Sequence, residues 1–187
     1  SRVKTFLETN CSRTGEDQEM VGAEDADVIA RTKTFQGFLV EAGLAALVYP
    51  AEFGGAGLTR RHQELFDQAS KGWHLPNSAL SISHGMCLPM LSQFGTDEQK
   101  SLFMPDCISG ATIWCQLFSE PGAGSDVAGL ATRATRDGDQ WILNGQKVWT
   151  SGAHYADYGL IVARTDPALP KHQGLSMFIV DMSDPAV

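Results

Sequence analysis

The sequence has few basic residues for its length. It contains 14 Lys and Arg against 22 Asp and Glu, which gives a formal net charge of -8. No run of Lys and Arg offsets this acidic balance, so nucleic acid is not expected as a partner. An anionic ligand remains compatible with the balance, because phosphates are usually held by local backbone N–H groups and hydroxyls.

The sequence also lacks a long apolar segment and a metal-ligand pattern. The most apolar stretch, 79–91, is interrupted by Ser, His, Gly and Pro and is too short to span a bilayer. The 4 cysteines include no C-x-x-C pair and the 5 histidines no H-x-x-x-H pattern, so we predict reduced thiols and no metal site. We expect a folded protein of the cytoplasm, or of the mitochondrial matrix in a eukaryote, without a membrane partner.

The hydrophobic pattern changes from helical spacing to alternation near residue 112. Before that point it predicts a short helix with Val3, Phe6 and Leu7 on one face. Thr96 and Gln99 fit a capping box that starts the last helix, which is expected to end near Gly110. The other predicted helices are 24–41 (with Gly43 at its end), 61–71 (with Leu65 and Phe66 inward) and a buried central helix from 77 or 78 to 94.

Beyond residue 112 the period of two predicts strands. They cover 113–118, 131–136, 140–143, 146–150, 158–164 and 176–181. Asp137-Gly138 and Asn144-Gly145 are strong hairpin signals between the second, third and fourth of these strands. The predicted fold is therefore α+β: an all-α helical domain at 1–112, followed by a small antiparallel, β-barrel-like domain at 113–187.

The segment from Gln116 to Asp126, QLFSEPGAGSD, carries a possible phosphate cradle. The strand is expected to end at Ser119, after which Gly122 and Gly124 let the backbone approach a ligand and Ser125 adds a hydroxyl. The segment matches neither G-x-G-x-x-G nor a P-loop, so an ordinary glycine-rich turn is an open alternative.

Two acidic side chains flank this cradle. Glu120 and Asp126 are unsuited to an anion site, and we predict that they accept backbone N–H bonds and fix the loop.

A second segment, KVWTSGA at 147–153, places an aromatic residue and two hydroxyls at the end of a predicted strand. Trp149 can form a wall against a planar ligand, and Thr150 or Ser151 can hydrogen-bond a ring nitrogen. The alternative is a Trp packed within the sheet, with hydroxyls that bond to the turn.

Taken together, the segments are more specific. SEPGAGSD, then G-D-x-W-x-L-N-G-x-K-x-W-T-S, then Ala156-Asp157 and ARTDP at 163–167, resemble the middle domain of the acyl-CoA dehydrogenase family. Upstream, Tyr49-Pro50 with FGG at 53–55, and FGTDEQK at 94–100, resemble that family's N-terminal helical domain. The resemblance covers essentially the whole chain.

The resemblance implies an FAD cofactor. The strand end from Gln116 to Ser119 would lie along the isoalloxazine ring, with Phe118 and Ser119 at its pyrimidine side. In the next loop, Gly124 and Ser125 would hold the FAD pyrophosphate, and Ser125 would also lie near the acyl-CoA channel.

The aromatic segment would complete the wall of the site that faces the flavin ring. Trp149 would pack against the flavin, Thr150 and Ser151 would extend that contact, and Ser151 would face flavin N5. Family members often have W-I-T-N at this place, whereas this sequence has W-T-S-G, which weakens any assignment of a simple straight-chain substrate.

The resemblance also implies the reaction: dehydrogenation of an acyl-CoA thioester to the trans-2-enoyl-CoA in lipid metabolism, with hydride transfer to flavin N5 and an electron-transfer flavoprotein as acceptor. The family's catalytic base comes from a C-terminal helical region, so none of Glu64, Glu98 or Glu120 is assigned as the base, and the chain alone is expected to be inactive.

A dimer or tetramer, homo- or hetero-oligomeric, is expected. The alternatives are a non-catalytic FAD- and acyl-CoA-binding subunit of a hetero-oligomer, and a flavin oxidase or monooxygenase.

Overall fold

A computed structural model describes residues 2–14 and 25–187. The chain divides into two compact units, Ser1–Thr112 and Ile113–Val187. Helices dominate the first unit, and the main sheet lies in the second. The predicted α+β order is therefore confirmed. The predicted start of the second helix, at residue 24, lies outside the described residues.

Over residues 2–14 and 25–112, the first unit contains five α-helices and a short ladder. The helices are α1 (Arg2–Asn10), α2 (Asp25–Glu41), α3 (Arg60–Ser70), α4 (Leu88–Phe94) and α5 (Asp97–Ser109). Strand β1 (Ser12–Arg13) pairs antiparallel with β2 (Trp73–His74).

Helical spacing identified Phe6 and Leu7 as core positions of this unit. Phe6 of α1 packs on Phe35 of α2, with ring centroids 5.8 Å apart, and both side chains are buried. Gly43, with φ of 58°, follows α2 as predicted. In α3 only Phe66 is buried, and the inward position predicted for Leu65 is wrong because that side chain is 47% exposed.

The central helix changes type along its length. The predicted helical span to residue 94 begins with a 3₁₀ turn at Ser78–Leu80, passes through a π turn at Ser83–Cys87 and ends with α4. Pro89 has no N–H for the carbonyl four residues earlier, which breaks the α-helical ladder at this point. Within the π turn, the Leu88 N–H bonds to the Ser83 carbonyl.

The second unit holds a five-stranded sheet. Its strands are β3 (Trp114–Leu117), β4 (Arg133–Asp137), β5 (Gln140–Asn144), β6 (Tyr158–Arg164) and β7 (Leu175–Asp181). Their order is β3-β6-β4-β5, and β7 also pairs with β6. The β4–β5 and β6–β7 pairs are antiparallel.

The sheet is mixed, whereas the predicted domain was antiparallel. β6 pairs parallel with β3 and, through Arg133 and Arg164, with β4. The long connections 118–132 and 145–157 permit this arrangement, because a parallel pair needs a crossover and cannot be joined by a tight turn.

Only one of the two predicted hairpins forms. Asp137 pairs with Gln140, so Gly138 and Asp139 are the central turn residues, and Gly138 has φ of 58°. The strand predicted at 146–150 is wrong. Gly145 is used for close packing instead of a hairpin turn, since a Cβ at this position would collide with the side chain of Thr132.

The predicted capping box of α5 is confirmed. The Gln99 N–H donates to the Thr96 hydroxyl over 3.2 Å, and the Thr96 N–H donates to the Gln99 side chain over 2.9 Å. Gly110 ends the helix with φ of 76°.

We expect Thr96→Ala to lower the free energy of unfolding by about 1 kcal/mol, because the Gln99 N–H loses its acceptor. Urea unfolding measures the difference. Thr96→Ser, which keeps the hydroxyl, serves as the control and should remain close to the parent protein. Equal losses for both variants would contradict the capping role.

Candidate functional site

The two segments singled out by the sequence lie side by side. β3 ends at Leu117, and the backbone continues through Phe118 and Ser119. The Val148 N–H donates to the Ser119 carbonyl over 2.9 Å, and the Lys147 ammonium donates to the Phe118 carbonyl over 3.1 Å. These two hydrogen bonds therefore hold the end of β3 and the start of the segment 147–151 next to each other.

A buried ion pair joins these segments. Lys147 Nζ lies 2.8 Å from Glu120 Oε1, and each side chain is only 6% exposed. The same carboxylate accepts the Ala131 N–H over 2.6 Å and the Thr132 N–H over 3.0 Å. The prediction that Glu120 accepts backbone N–H bonds and fixes its loop is confirmed.

Glu120 is held in its ionised form. Burial raises the pKa of its carboxyl, but hydrogen bonds from Lys147, Thr132 and Ala131 outweigh that effect and hold the pKa at about 2. A carboxylate with this pKa and these partners is a poor proton acceptor at neutral pH, which agrees with its exclusion as a catalytic base.

The other acidic residue of this loop has a different partner. Asp126 accepts a hydrogen bond from Lys171 Nζ over 2.7 Å, and both side chains are more than half exposed. Lys171, rather than the backbone N–H predicted for Asp126, is the partner that the structure gives to its carboxylate. The hydrogen bond from Lys171 is the main cause that lowers the pKa of Asp126.

The glycine-rich loop leaves open space at its surface. Glu120 and Ala123 exchange two backbone hydrogen bonds, of 2.8 and 3.1 Å, which close a turn around Pro121-Gly122. A Cβ at Gly122 or Gly124 would meet no other part of the protein within 4 Å. Gly124 and Ser125 are exposed. A phosphate can therefore approach this backbone closely, although the Ala123 N–H is already used within the turn.

Trp149 is presented to solvent. Its side chain is 91% exposed, so the alternative of a Trp packed within the sheet is wrong. Its φ of 57° lies in the left-handed region that non-glycine residues seldom adopt. Thr150 is half-buried and Ser151 is exposed. An exposed aromatic ring held in a strained backbone conformation is typical of ligand-binding segments.

An open cavity of about 420 Å³ lies beside this segment. Trp149 and Thr150 contribute to its rim, and its wall is largely apolar. Among the apolar wall residues are Leu117, Leu143, Ile161, Val180 and Met182. A cavity of this size and lining is suited to a mostly apolar ligand group.

Other titratable side chains of the described residues take part in local ion pairs and hydrogen bonds or are buried. Glu64 forms ion pairs with Arg60 and Arg61 on the surface of α3. The first turn of α5 contains Glu98, whose pKa is lowered by hydrogen bonds from its own N–H and from Thr96. Burial raises the pKa of the free Cys115 thiol to about 11. These groups give no sign of a second catalytic centre.

Within residues 2–14 and 25–187, no helix combines the length and apolar character needed to cross a membrane.

Comparison with known proteins follows the same two-part division. Residues 2–111 match the family model of the acyl-CoA dehydrogenase N-terminal domain, and residues 115–187 match that of the acyl-CoA dehydrogenase middle domain. Acyl-CoA dehydrogenase FadE34 of Mycobacterium tuberculosis is 45% identical over 149 residues, which are 80% of this chain and 21% of FadE34.

Solved structures show the same relationship. The ChsE4-ChsE5 complex from Mycobacterium tuberculosis matches with a TM-score of 0.74 and 32% identity, over 96% of this chain and 45% of that chain. The Tcur3481-Tcur3483 steroid ACAD matches with a TM-score of 0.68 and 31% identity, over 96% of this chain and 43% of that chain. The chain thus spans less than half the length of each of these proteins.

We expect Glu120→Gln to destabilise the protein by roughly 3–5 kcal/mol at neutral pH, because it leaves Lys147 buried without its counter-ion. The folded-state pKa of Glu120 is below its ordinary value of 4.5, so its contribution is present above that pH and is lost as the pH falls toward 2. Urea unfolding of both proteins between pH 7 and pH 3 tests this. The two stabilities should converge on acidification, and a constant difference would contradict the assignment.

Proposed function

This chain belongs to the acyl-CoA dehydrogenase family, and on that premise we propose that its sheet-containing unit binds FAD for the α,β-dehydrogenation of an acyl-CoA thioester. One observation carries the proposal: the Val148–Ser119 hydrogen bond brings the exposed Trp149 next to the end of β3. The relatives named as acyl-CoA dehydrogenases support the reaction class.

We assign the flavin ring to the end of β3. Gln116 is the third residue of that strand, and Phe118 and Ser119 follow it directly. The Phe118 side chain packs against the cluster of Ala123, Leu130 and Val162, so its backbone is the part that would contact a ligand. Because the Phe118 and Ser119 carbonyls already accept bonds from Lys147 and Val148, the strand end would meet the ring through N–H groups and the Ser119 hydroxyl.

The wall of the ring site comes from the second segment. Trp149 offers an aromatic face that the rest of this unit leaves uncovered. Thr150 and Ser151 follow it and carry the hydroxyls assigned to the ring edge, with Ser151 toward N5. An aromatic contact and one or two hydroxyl bonds are the features expected where a planar heterocycle must be oriented.

The phosphate end is assigned to Gly124 and Ser125. Both are exposed, and the backbone at Gly124 has free space beside it. Ser125 would donate its hydroxyl to the FAD pyrophosphate and would border the acyl-CoA path. The overall charge of -8 does not oppose this assignment, because such contacts are local.

The protein's part in the reaction would be to position the flavin ring and to shield it from water. When bound, FAD supplies the acceptor for the hydride that leaves the β-carbon. The residues of this chain would hold the ring plane against Trp149 and exclude water from its face. Glu120 is not assigned as the base for the α-proton, because its hydrogen bonds hold its pKa at about 2 and make it a poor proton acceptor.

A subunit role in a hetero-oligomer is the second candidate. The matching ChsE4-ChsE5 structure is a complex of two named components, and the Tcur3481-Tcur3483 protein is described as a steroid ACAD. The first name favours a two-component assembly and the second a bulky CoA thioester. An electron-transfer flavoprotein as acceptor is proposed from the family resemblance alone. Titration with steroid and straight-chain acyl-CoA thioesters would distinguish the substrate classes.

The visible absorption spectrum tests the cofactor assignment. After incubation with FAD and removal of the excess, we expect the purified protein to retain a flavin spectrum. Trp149→Ala should weaken FAD binding by roughly tenfold, the equivalent of about 1.4 kcal/mol of aromatic contact. Its unfolding free energy should change by less than about 0.5 kcal/mol, because the ring is exposed.

Trp141→Ala is the matched control for this variant. Trp141 is also partly exposed, but it packs on Phe178 with ring centroids 5.5 Å apart and lies outside the proposed ring site. It should leave FAD affinity unchanged. A protein that retains no flavin would reject the cofactor assignment, and equal effects of the two Trp variants would reject the role of Trp149.

A further inference from the structure

We propose that Lys147 is a positioning residue of the candidate site: it sets the spacing between the end of β3 and the Trp149–Ser151 segment, and Glu120 holds it in place. The inference rests on the proposed function, because the two segments that it spaces are those assigned to the flavin ring. Lys147 itself makes no contact with the ligand in this scheme.

The contacts of Lys147 form a cross-connection where no strand pairing exists. Its ammonium donates to the Phe118 carbonyl over 3.1 Å and to Glu120 over 2.8 Å. The next residue, Val148, donates its N–H to the Ser119 carbonyl over 2.9 Å. Two consecutive residues of one segment are thereby joined to two consecutive residues of the other.

Glu120 anchors the ammonium from a third segment. Its two carboxylate oxygens accept the N–H groups of Ala131 and Thr132, which lie just before β4. The position of the carboxylate is therefore set by backbone on both sides of the loop that contains the glycine-rich turn. Because the pair is buried, any displacement of the ammonium leaves a charge without its partner, which makes the connection stiff.

The aromatic segment depends on this connection for its orientation. Trp149 has φ of 57° and is 91% exposed, so side-chain packing within this unit does not hold it. A left-handed non-glycine residue persists only where its surroundings impose that conformation. The restraints on its N-terminal side are the bonds of Lys147 and Val148, and they orient Trp149 and Thr150 relative to Ser119.

The same unit provides a matched control pair. Lys171 and Asp126 form an ion pair of 2.7 Å, but their side chains are 53% and 60% exposed. That pair joins two surface loops and makes no bond to Phe118 or Ser119. Its removal should alter local charge as much as removal of Lys147 does, without altering the spacing of the proposed ring site.

The test compares Lys147→Met and Lys147→Gln by FAD affinity and by the visible spectrum of bound flavin, and compares both with Lys171→Met by amide hydrogen exchange at Val148. We expect Lys147→Met to weaken FAD binding by roughly tenfold or more, to shift the flavin spectrum and to speed exchange of the Val148 N–H by a similar factor. Lys147→Gln keeps one donor for the Phe118 carbonyl and should be intermediate. Lys171→Met should leave Val148 exchange within about twofold of the parent protein. It is compared by exchange alone, because its partner Asp126 lies next to Ser125 of the proposed phosphate site.

Each outcome decides the inference. Val148 exchange and FAD affinity that stay within about twofold in both Lys147 variants would overturn it, as would an equal change in Val148 exchange in the Lys171 variant. If Lys147→Met does not fold, Lys147→Gln carries the comparison. If the parent protein takes up no FAD, the proposed function fails separately, and Val148 exchange still shows whether Lys147 sets the spacing of the two segments.

Discussion

The buried ion pair between Glu120 and Lys147 is the interaction on which the candidate site depends. Two charges removed from water are stable together only when the remaining hydrogen-bonding capacity of each is also satisfied. Here the carboxylate accepts two backbone N–H groups, and the ammonium donates to the Phe118 carbonyl. The pair thus connects the end of β3, the residues just before β4 and the segment that begins at Lys147. These contacts lie next to the groups assigned to the cofactor.

This arrangement explains why the site residues themselves are so little packed. A ligand can reach the site residues because they are exposed: Gly124, Ser125, Trp149 and Ser151. The contacts that stabilise this region are made by neighbouring residues. Gly145 belongs to that supporting layer, since a Cβ there would collide with Thr132. The separation of a stiff support from an accessible surface is a general requirement for precise ligand binding.

Much of this organisation was predictable from the sequence. Helical spacing identified Phe6, and the Thr96–Gln99 pattern identified the start of α5. The hairpin at Gly138 was also predicted. One error arose where tertiary contacts compete with the local pattern: residues after Gly145 bond to the end of β3 instead of forming a strand. The π turn beside Pro89 in the central helix is a local feature that hydrophobic spacing does not reveal. The partner of Lys147 was missed, because Glu120 is 27 positions away in the chain and no local pattern around Lys147 indicates a buried carboxylate.

The sequence by itself determined most of the helices and strands, the turn at Gly138 and the motifs that place the chain in its family, because these depend on residues that are close together in the chain. Only the tertiary structure decided that β6 pairs parallel with β3 and β4, and that Lys147 reaches Glu120. It also decided that Trp149 is exposed beside Ser119. These features join residues about 30 positions apart or more, and periodicity carries no information about such pairings.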